Sequence, residues 1–467
     1  MNIDTIIKNL FGSIFMKERS KFSGKLGFVL AAAGSAVGLG NIWRFPYLAA
    51  KYGGGVFLLI YLILVSTFGY AMIMSESAIG RMTRKSPVGA FQFFGKSLPL
   101  KFGGWINAII PMLIVPYYSV IGGWVCKYLY EYAVGHVHQV ASDTYFSTFI
   151  KDGWNVELFF IIFCLITLVI IFGGVQNGIE KVSKIMMPIL VLLAVIVAIY
   201  SVTRPGALAG VKYFLIPNFK NFSLMTLVTA MGQMFYSLSI AMGILITFGS
   251  YMKKEFDIES ATSNVEVFDT VIAILAGLMI IPAVFAFSNG NAKALGAGPS
   301  LMFITLPKVF DSMGAGGFAG VAFFLLVLLA ALTSSIALTE SAVSTFEDEL
   351  GWDRKKSTVL MGVIMIALGT LSSLGFGPLH FISILGMDFL DFFDFLTNSV
   401  MMPIAALSIC FLVTRVIGIE KISAEIEHSS KFKRKKIYVL MMKYIAPIFI
   451  IVILISSVLN VLGIISM

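Results

Sequence analysis

Long apolar runs separated by short polar segments make up almost the whole chain. Eleven of these runs are long enough, and poor enough in charge, to cross the roughly 30 Å hydrocarbon core of a bilayer as helices. The runs cover residues 26–52, 56–83, 103–134, 157–174, 182–202, 224–251, 260–287, 315–347, 357–374, 381–415 and 438–465. This pattern predicts an all-α polytopic membrane protein with eleven transmembrane helices.

The first run is interrupted at its middle by glycine. Gly34, Gly38 and Gly40 fall within seven positions, and the polar residues Asn41 and Arg44 follow at once. Glycine costs about 1 kcal/mol relative to alanine inside a helix, and a membrane tolerates unpaired backbone only where it lines a cavity or meets an ion. The interruption therefore predicts a binding site built from main-chain atoms, although small residues of this kind also serve tight helix packing.

The sixth run carries a second interruption. Between Met231 and Gly243, small and polar residues again replace the apolar pattern at mid-membrane. A break in the first helix of each five-helix block is typical of transporters built from two inverted repeats, so we predict a 5+5 inverted repeat with broken helices 1 and 6. We divide the chain into a cytoplasmic N-terminal segment (1–25), a first repeat (26–202), a second repeat (203–415), and a cytoplasmic loop with the eleventh helix (416–467).

Charge orients these helices. The 467-residue chain is 58% hydrophobic and only 13% charged, which excludes a soluble domain. Its net charge of +9 comes from Lys and Arg gathered in certain loops and so does not indicate a nucleic-acid partner. Loops 81–101 and 416–437 are basic and should face the cytoplasm, which places the N-terminus inside and the C-terminus outside. The basic segment 203–223 runs against this rule.

Residues that could carry enzymatic chemistry are scattered. Cys126, Cys164 and Cys410 lie in apolar runs, without metal-binding spacing or a disulfide framework. His136 and His138 could clip a metal ion, but no third ligand lies near them in the sequence. Because no nucleophile–base or metal constellation can be found, we expect neither an enzyme nor an organic cofactor.

Four motifs resemble one family. The segments Gly34–Pro46, Gly53–Gly55, Gly232-Gln-x-Phe235 and Leu332–Ser335 are similar to those of the neurotransmitter:sodium symporter family, especially its eleven-helix bacterial amino-acid transporters. The resemblance implies a sodium-coupled symporter that imports an amino acid across the bacterial inner membrane by alternating access. Nothing in the sequence decides between a monomer and a dimer.

The resemblance also implies two sodium ions, which prefer oxygen ligands. The first ion would be held by Ala36, Asn41, Ser237 and Asp269. The second would be held by Gly34, Val37, Ala330, Thr333 and Ser334. From the residues alone, Thr333 and Ser334 form a hydroxyl cluster in an apolar helix, and such hydroxyls often bond only the preceding turn of their own helix.

Asp269 departs from the family pattern. It stands where relatives carry an Asn ligand, and Ala273 stands one turn further, where some relatives carry Glu and animal members a chloride-binding Ser. A carboxylate inside a membrane protein is costly unless it is compensated. We infer that Asp269 ligates or neighbours the first ion and supplies the negative charge that chloride gives elsewhere, which predicts chloride-independent transport.

The implied substrate is a neutral, hydrophobic amino acid, aromatic ones included. Gly38 stands where monoamine-transporting relatives carry Asp, so the substrate should bring its own carboxylate. Met242 replaces a Phe of the leucine transporter, and methionine is flexible and packs well against rings. The substrate-binding residues implied by the resemblance are Ser35, Ala36, Gly38, Leu39, Gly40, Ile114, Tyr118, Tyr236, Ser237, Ser239, Met242, Ser334 and Leu338. An amino-acid-binding sensor of the same fold, or a symporter for another small zwitterion, is the alternative.

An extracellular gate is implied above this pocket. Arg44 and Asp391 are opposite charges within predicted membrane helices, and such charges usually pair. By resemblance they form the gate, with Tyr118 and Tyr236 as a thin aromatic lid.

A cytoplasmic gate is implied below the pocket. By resemblance, Arg19 pairs with Asp348 beneath Phe22, with Tyr251 nearby. Without the resemblance, Arg19 would be an ordinary cytoplasmic charge and Asp348 part of a solvated acidic turn. We expect Glu76, in the second helix, to accept N–H groups of the first break.

Overall fold

The fold of the chain is helical throughout the part that the computed structural model describes, residues 20–288 and 299–461. In these two ranges, nine helices are long and apolar enough to cross a membrane. They are Gly55–Thr83, Leu98–Ala133, Gly153–Phe172, Val175–Val202, Ile258–Phe287, Gly316–Leu350, Arg354–Leu374, Phe389–Ile417 and Lys435–Asn460. The predicted all-helical, membrane-type fold is confirmed.

The first broken helix is present. Lys25–Ala36 and Gly40–Lys51 meet at an angle of 51°, and together they qualify as one bent membrane span, the tenth. The first segment stops because Val37 adopts non-helical backbone angles (φ −84°, ψ 87°). The second segment starts at Gly40 as a wide π-helical turn. The glycine-rich interruption therefore frees main-chain groups at mid-helix, as the sequence predicts.

The second broken helix is also present. Leu224–Ser237 and Ile244–Ser250 are separated by residues 238–243, in which Ser239, Ala241 and Gly243 all have positive φ. Left-handed backbone is costly for residues with a Cβ, and two of these three are not glycine. Counting this pair as one more span would give eleven, so the eleven-span count and the inverted repeat stay predictions.

Three predicted boundaries differ from the structure. The tenth helix begins at Phe389 instead of residue 381, because residues 375–388 form turns in which Leu385 and Gly386 have positive φ and Asp388 caps the helix. The fifth helix begins earlier, with a π-helical turn at Val175–Glu180. The predicted loop 416–437 contains a short helix, Ile419–Glu427.

The two breaks lie side by side within the longer helices. A Cβ added to Gly40 would come within 2.7 Å of the Tyr236 ring, and one added to Gly34 would lie 3.0 Å from the Cβ of Thr333. The helix Leu98–Ala133 packs along Gly316–Leu350 beside them. Glycine at these close contacts lets the first break approach both neighbours, which positions the site.

Candidate functional site

A small cavity lies between the two breaks. All thirteen predicted substrate-binding residues line it, and Asn41 and Ile244 complete the wall. Those thirteen are Ser35, Ala36, Gly38, Leu39, Gly40, Ile114, Tyr118, Tyr236, Ser237, Ser239, Met242, Ser334 and Leu338. The structure thus gathers residues from four helices around freed main chain.

One end of the cavity presents hydrogen-bond donors. The Leu39 N–H points to the Tyr118 hydroxyl at 3.4 Å. A Cβ at Gly38 would lie 2.6 Å from Ser334 Oγ and 3.3 Å from the Tyr118 hydroxyl, so any side chain there would fill this end. Main-chain N–H groups at the start of a helix segment favour an anion. This end can therefore receive a carboxylate.

The far end combines hydroxyls with apolar walls. Ser35 Oγ donates to Ser239 Oγ at 3.0 Å, and Ser239 Oγ and Ser334 Oγ each bond the Ser35 carbonyl at 3.0 and 3.1 Å. Because these hydroxyls already hydrogen-bond one another and the Ser35 carbonyl, they do not need a polar group of the ligand as a partner. Buried Ile114, Met242 and Leu338 form the rest of the wall, which suits an apolar side chain.

Asp269 lies at the centre of a buried polar cluster. Its Oδ1 accepts from Asn41 Nδ2 at 2.8 Å and its Oδ2 from the Tyr61 hydroxyl at 2.6 Å. Tyr61 in turn contacts Ser237 Oγ at 2.6 Å. Asn41 Oδ1 accepts the Gly38 N–H at 3.2 Å, which ties the cluster to the first break. The structure therefore brings three of the four predicted ligands of the first sodium into direct hydrogen-bonded contact.

Tyr61 is a functional candidate that the sequence reasoning missed. It is fully buried and bridges Asp269 and Ser237. A tyrosine within the apolar run 56–83 gave little signal, because tyrosine is common near the ends of membrane helices. A buried carboxylate one helix away needs donors, and only the tertiary contact identifies Tyr61 as one of them.

Four of the five residues predicted for the second sodium also lie together: Gly34, Ala330, Thr333 and Ser334. Gly34 packs on Thr333, and Ser334 Oγ donates to the Gly34 carbonyl at 3.4 Å. Thr333 Oγ1 bonds the carbonyls of Leu329 and Ala330 at 3.1 and 3.0 Å, which is the intrahelical alternative noted from the sequence. Carbonyls and hydroxyls at this point form an oxygen-only ligand set.

These ligand sets fit a hard monovalent cation. In the described ranges no group of three or more His, Cys, Asp and Glu side chains could hold a metal ion. The two clusters instead offer carbonyl, hydroxyl and amide oxygens with a single carboxylate, the donors that hard cations prefer. The residues present therefore fit sodium, whose predicted ligands they are.

The extracellular gate stays a prediction. Arg44 and Asp391 line the same vestibule, but among the described residues no ion pair joins them. The charge of Arg44 acts on Asp394, which also accepts from Asn398 Nδ2 at 2.5 Å. Asp391 and Asp394 are three residues apart, which is almost one helical turn, so both acids point to nearly the same side of the helix. Asp394 is therefore a second candidate for the acid of this gate.

Aromatic residues separate the cavity from an outer vestibule. The Arg44 guanidinium lies 5.3 Å from the Tyr236 ring centroid, and Tyr118 and Tyr236 line both spaces. The vestibule encloses about 1,380 Å³ and also contains Asp391 and Asp394. The arrangement suits a two-layer barrier of aromatic rings below a charged pair.

Glu76 supports the other break from the one expected. Its Oε1 accepts the N–H of Ala241, in the second break, at 2.8 Å. Ala241 has φ +58°, so its N–H is turned out of any helical hydrogen bond. The prediction that Glu76 accepts N–H groups of the first break is therefore wrong: the N–H that it accepts belongs to the second break.

The region predicted to form the cytoplasmic gate is closed by aromatic packing. Phe22 makes edge-to-face contacts with Phe28, Phe248 and Tyr251. Its N–H donates to the Tyr251 carbonyl at 3.2 Å. The expected partner Arg19 lies outside the described residues, so the pair with Asp348 stays a prediction. Aromatic packing thus seals the space below the first helix segment.

Two further charged groups lie at this closure. The Tyr251 hydroxyl donates to Glu340 Oε1 at 2.7 Å, and Glu340 is bound bidentately by Arg354 at 3.1 and 2.5 Å. Asp348 accepts the Ser86 N–H at 2.6 Å and so contacts the protein instead of only solvent. Sequence reasoning missed Glu340 and Arg354, whose signal was two opposite charges at the ends of neighbouring membrane helices.

Comparison with known proteins identifies the family. The model of the sodium:neurotransmitter symporter family matches residues 19–138 and 131–464. The uncharacterized sodium-dependent transporter YhdH of Bacillus subtilis is 33% identical over 451 residues, 96% of this chain and 98% of its own length. An uncharacterized sodium-dependent transporter of Haemophilus influenzae is 31% identical, with 94% and 98% covered.

A solved structure agrees with both. The crystal structure of MhsT in complex with L-phenylalanine has 36% sequence identity and a TM-score of 0.85, and the match covers 94% of this chain and 100% of that chain. Family and relatives are transporters and not enzymes, as the sequence predicts. The chain therefore belongs to the sodium:neurotransmitter symporter family.

Proposed function

We propose that the chain is a sodium-coupled symporter that imports a neutral, hydrophobic amino acid, aromatic residues included. The observation that carries the proposal is the cavity between the two helix breaks, which all thirteen predicted residues line. The relative MhsT is described in complex with L-phenylalanine, which supports the same substrate class here.

The substrate would lie across both breaks. Its carboxylate would face the amides of Leu39 and Gly40 and the Tyr118 hydroxyl, where Gly38 leaves room. Its ammonium group would face the carbonyls of Ala36 and Tyr236, since the end of a helix segment offers free carbonyls and partial negative charge. Its side chain would point toward the apolar wall at the far end of the cavity.

Two sodium ions would couple to this binding. The first, at Ala36, Asn41, Ser237 and Asp269, would also meet the substrate carboxylate, so each ligand stabilises the bound state of the other. The second, at Gly34, Val37, Ala330, Thr333 and Ser334, would join the first helix segment to Gly316–Leu350. One charge moved down about 100 mV yields about 2.3 kcal/mol and a tenfold gradient about 1.4 more, so two ions supply roughly 7 kcal/mol.

Chloride would not be needed. Asp269 is fully buried, and its contacts are with the neutral donors Asn41, Tyr61 and Ser237. A buried carboxylate without a positive partner is costly, whereas the same carboxylate beside a sodium ion is compensated. The Asp269 carboxylate then balances the sodium charge in place of a bound chloride, and transport proceeds in chloride-free buffer.

Alternating access would use both gates. The outer gate would be Arg44 and Asp394 above Tyr118 and Tyr236, and the inner gate would be the packing of Phe22 and Tyr251. The protein would lie in a bacterial inner membrane, with its N-terminus inside and its C-terminus outside, as its basic loops favour.

The test is uptake of radiolabelled amino acids into proteoliposomes. Phenylalanine, leucine, alanine and glutamate should be compared with an inward sodium gradient, an equal potassium gradient, and sodium with gluconate replacing chloride. We expect concentrative uptake of phenylalanine or leucine with sodium only, in either anion. Binding without flux would favour a sensor, and uptake driven equally by potassium would contradict sodium coupling.

A further inference from the structure

A groove opens where the tenth helix ends. The helix Phe389–Ile417 stops at Gly418, whose φ of +89° turns the chain into the short helix Ile419–Glu427. The groove lies between this turn and the start of Lys435–Asn460. It lies at the membrane face that the basic loops assign to the cytoplasm, an orientation taken from the proposed function.

The groove holds two positive charges without counter-charges. Lys421 and Lys443 line it, and neither forms an ion pair with any residue in the described part of the chain. Neighbouring cations do pair: Arg434 binds Glu266 at 2.8 Å, and Lys435 binds Glu427 at 3.1 Å. Arg434 and Lys435 are thus neutralised by glutamates of the protein, whereas the two lysines in the groove are not.

One acid also lines the groove but does not cancel these charges. Glu420 is 86% exposed at its side chain, and its carboxylate lies 3.8 Å from Lys435, which lies outside the groove. An exposed carboxylate that is shared with another cation contributes little to the potential between Lys421 and Lys443. The groove keeps a net positive charge.

The depth of the groove matches the lipid headgroups. The 26 residues of Lys435–Asn460 span about 39 Å, longer than the roughly 30 Å hydrocarbon core. From Lys443 to Asn460 the helix covers about 26 Å, so Lys443 lies close to the boundary of the hydrocarbon. Tyr444 next to it is 55% exposed, with its ring 5.2 Å from Lys443 Nζ, as in the aromatic belts of membrane interfaces.

The remaining wall of the groove is mostly apolar. Ile417, Ile419 and Val439 line it together with Thr414, and the side chains of Phe411 and Leu440 are 46% and 49% exposed. A soluble anion would gain nothing from contact with these apolar side chains, whereas acyl chains would cover them. Positive charge at headgroup level beside exposed apolar side chains is the pattern of a lipid site.

We propose that this groove binds an anionic glycerophospholipid of the cytoplasmic leaflet. Its phosphate lies between Lys421 and Lys443, and its acyl chains run along the exposed side chain of Phe411, further into the membrane on the tenth helix. The bound headgroup supplies the negative partner that these two lysines lack among the described residues.

Lipid binding here acts on the helix bundle through one short helix. Lys421 and Glu425 are four residues apart on Ile419–Glu427 and therefore lie on one side of it. Glu425 binds the buried Arg81 of the second membrane helix at 2.6 Å, and Arg81 also donates to the Phe256 carbonyl at 2.7 Å. A headgroup held at Lys421 thus steadies the linker against Gly55–Thr83.

The test measures how much phosphatidylglycerol the protein selects from a mixed bilayer. The full chain is reconstituted in phosphatidylcholine nanodiscs that contain spin-labelled phosphatidylglycerol, and the bound fraction is read by electron paramagnetic resonance. The test variant is Lys421→Gln/Lys443→Gln. The matched control is Lys431→Gln/Lys436→Gln, which removes the same charge from exposed lysines of the same loop outside the groove.

Each lysine near an anionic surface contributes about fivefold, so the test variant should bind the labelled lipid roughly 25-fold more weakly. The control should stay within about twofold of the wild type, and both variants should bind amino acid normally, which shows that they fold. Equal losses in the two variants would mean diffuse surface attraction and would overturn the proposal. So would a wild type without preference for phosphatidylglycerol over phosphatidylcholine. Since amino-acid uptake is measured separately, failure here leaves the proposed transport function standing.

Discussion

Replacing Asp269 by Asn removes one buried charge with almost no change in volume. The carboxylate accepts hydrogen bonds from Asn41 and Tyr61 at 2.8 and 2.6 Å; in the variant the amide oxygen can keep the bond from Asn41, and the new amide N–H can donate to the Tyr61 hydroxyl. In the described residues no cationic side chain forms an ion pair with Asp269. The charge is therefore free to stabilise a sodium ion, and the substitution should act mainly on sodium.

The size of the effect follows from the Coulomb energy. Two unit charges about 4 Å apart interact by about 4 kcal/mol at the effective dielectric constant of 20 that suits partly hydrated protein sites. Loss of that term weakens the apparent sodium affinity by roughly 100- to 1,000-fold. The variant should still fold, because the neutral form no longer carries the cost of burying a charge.

The assay is sodium titration of amino-acid binding and uptake, in chloride and in gluconate. Wild-type protein should give the same curve in both anions. Asp269→Asn should need far more sodium, and chloride should recover part of the loss. Glu266→Gln is the control, because it removes a negative charge from the same helix without touching Asn41 or Tyr61, and Arg434 keeps Glu259 at 4.0 Å.

Two results would refute this reasoning. The first is a sodium dependence of Asp269→Asn within about threefold of the wild type, since the carboxylate would then contribute no charge to the ion. The second is collapse of wild-type uptake in chloride-free sodium buffer, since a fixed negative charge would then not replace the anion.

Three further variants test the pocket and the gate. Gly38→Ala places a Cβ 2.6 Å from Ser334 Oγ, so amino-acid affinity should fall by roughly tenfold or more at unchanged melting temperature; normal affinity in equilibrium binding would contradict the carboxylate position. Asp394→Asn should abolish uptake with a much weaker loss of binding, whereas Asp391→Asn should stay near wild type; the reverse order would return the gate to Asp391. Met242→Phe narrows the apolar wall, so competition assays should show a shift from phenylalanine toward leucine and alanine, and an unchanged ranking would remove Met242 from the side-chain subsite.

Sequence alone was enough for the features that the membrane imposes. The bilayer core contains no water to hydrogen-bond backbone N–H and C=O groups, so a membrane span must be an apolar helix. An interruption is tolerated only where it lines a cavity or binds a ligand. The glycines at 34, 38 and 40 and the polar stretch 231–243 therefore predicted both breaks before any contact was known. Because the family motif lies at the first break, the resemblance assigned thirteen lining residues that the structure gathers into one cavity.

Only the tertiary structure decided which side chains meet. Asp388, Asp391 and Asp394 recur every three residues, and the rotation of their helix decides which of them comes nearest to Arg44. Sequence reasoning assigned Glu76 to the first break, whereas packing brings it to Ala241 in the second. Such contacts join helices far apart in the chain, so they depend on where each helix starts and how it is rotated, to better than one turn. An apolar pattern read along a single helix does not carry that information.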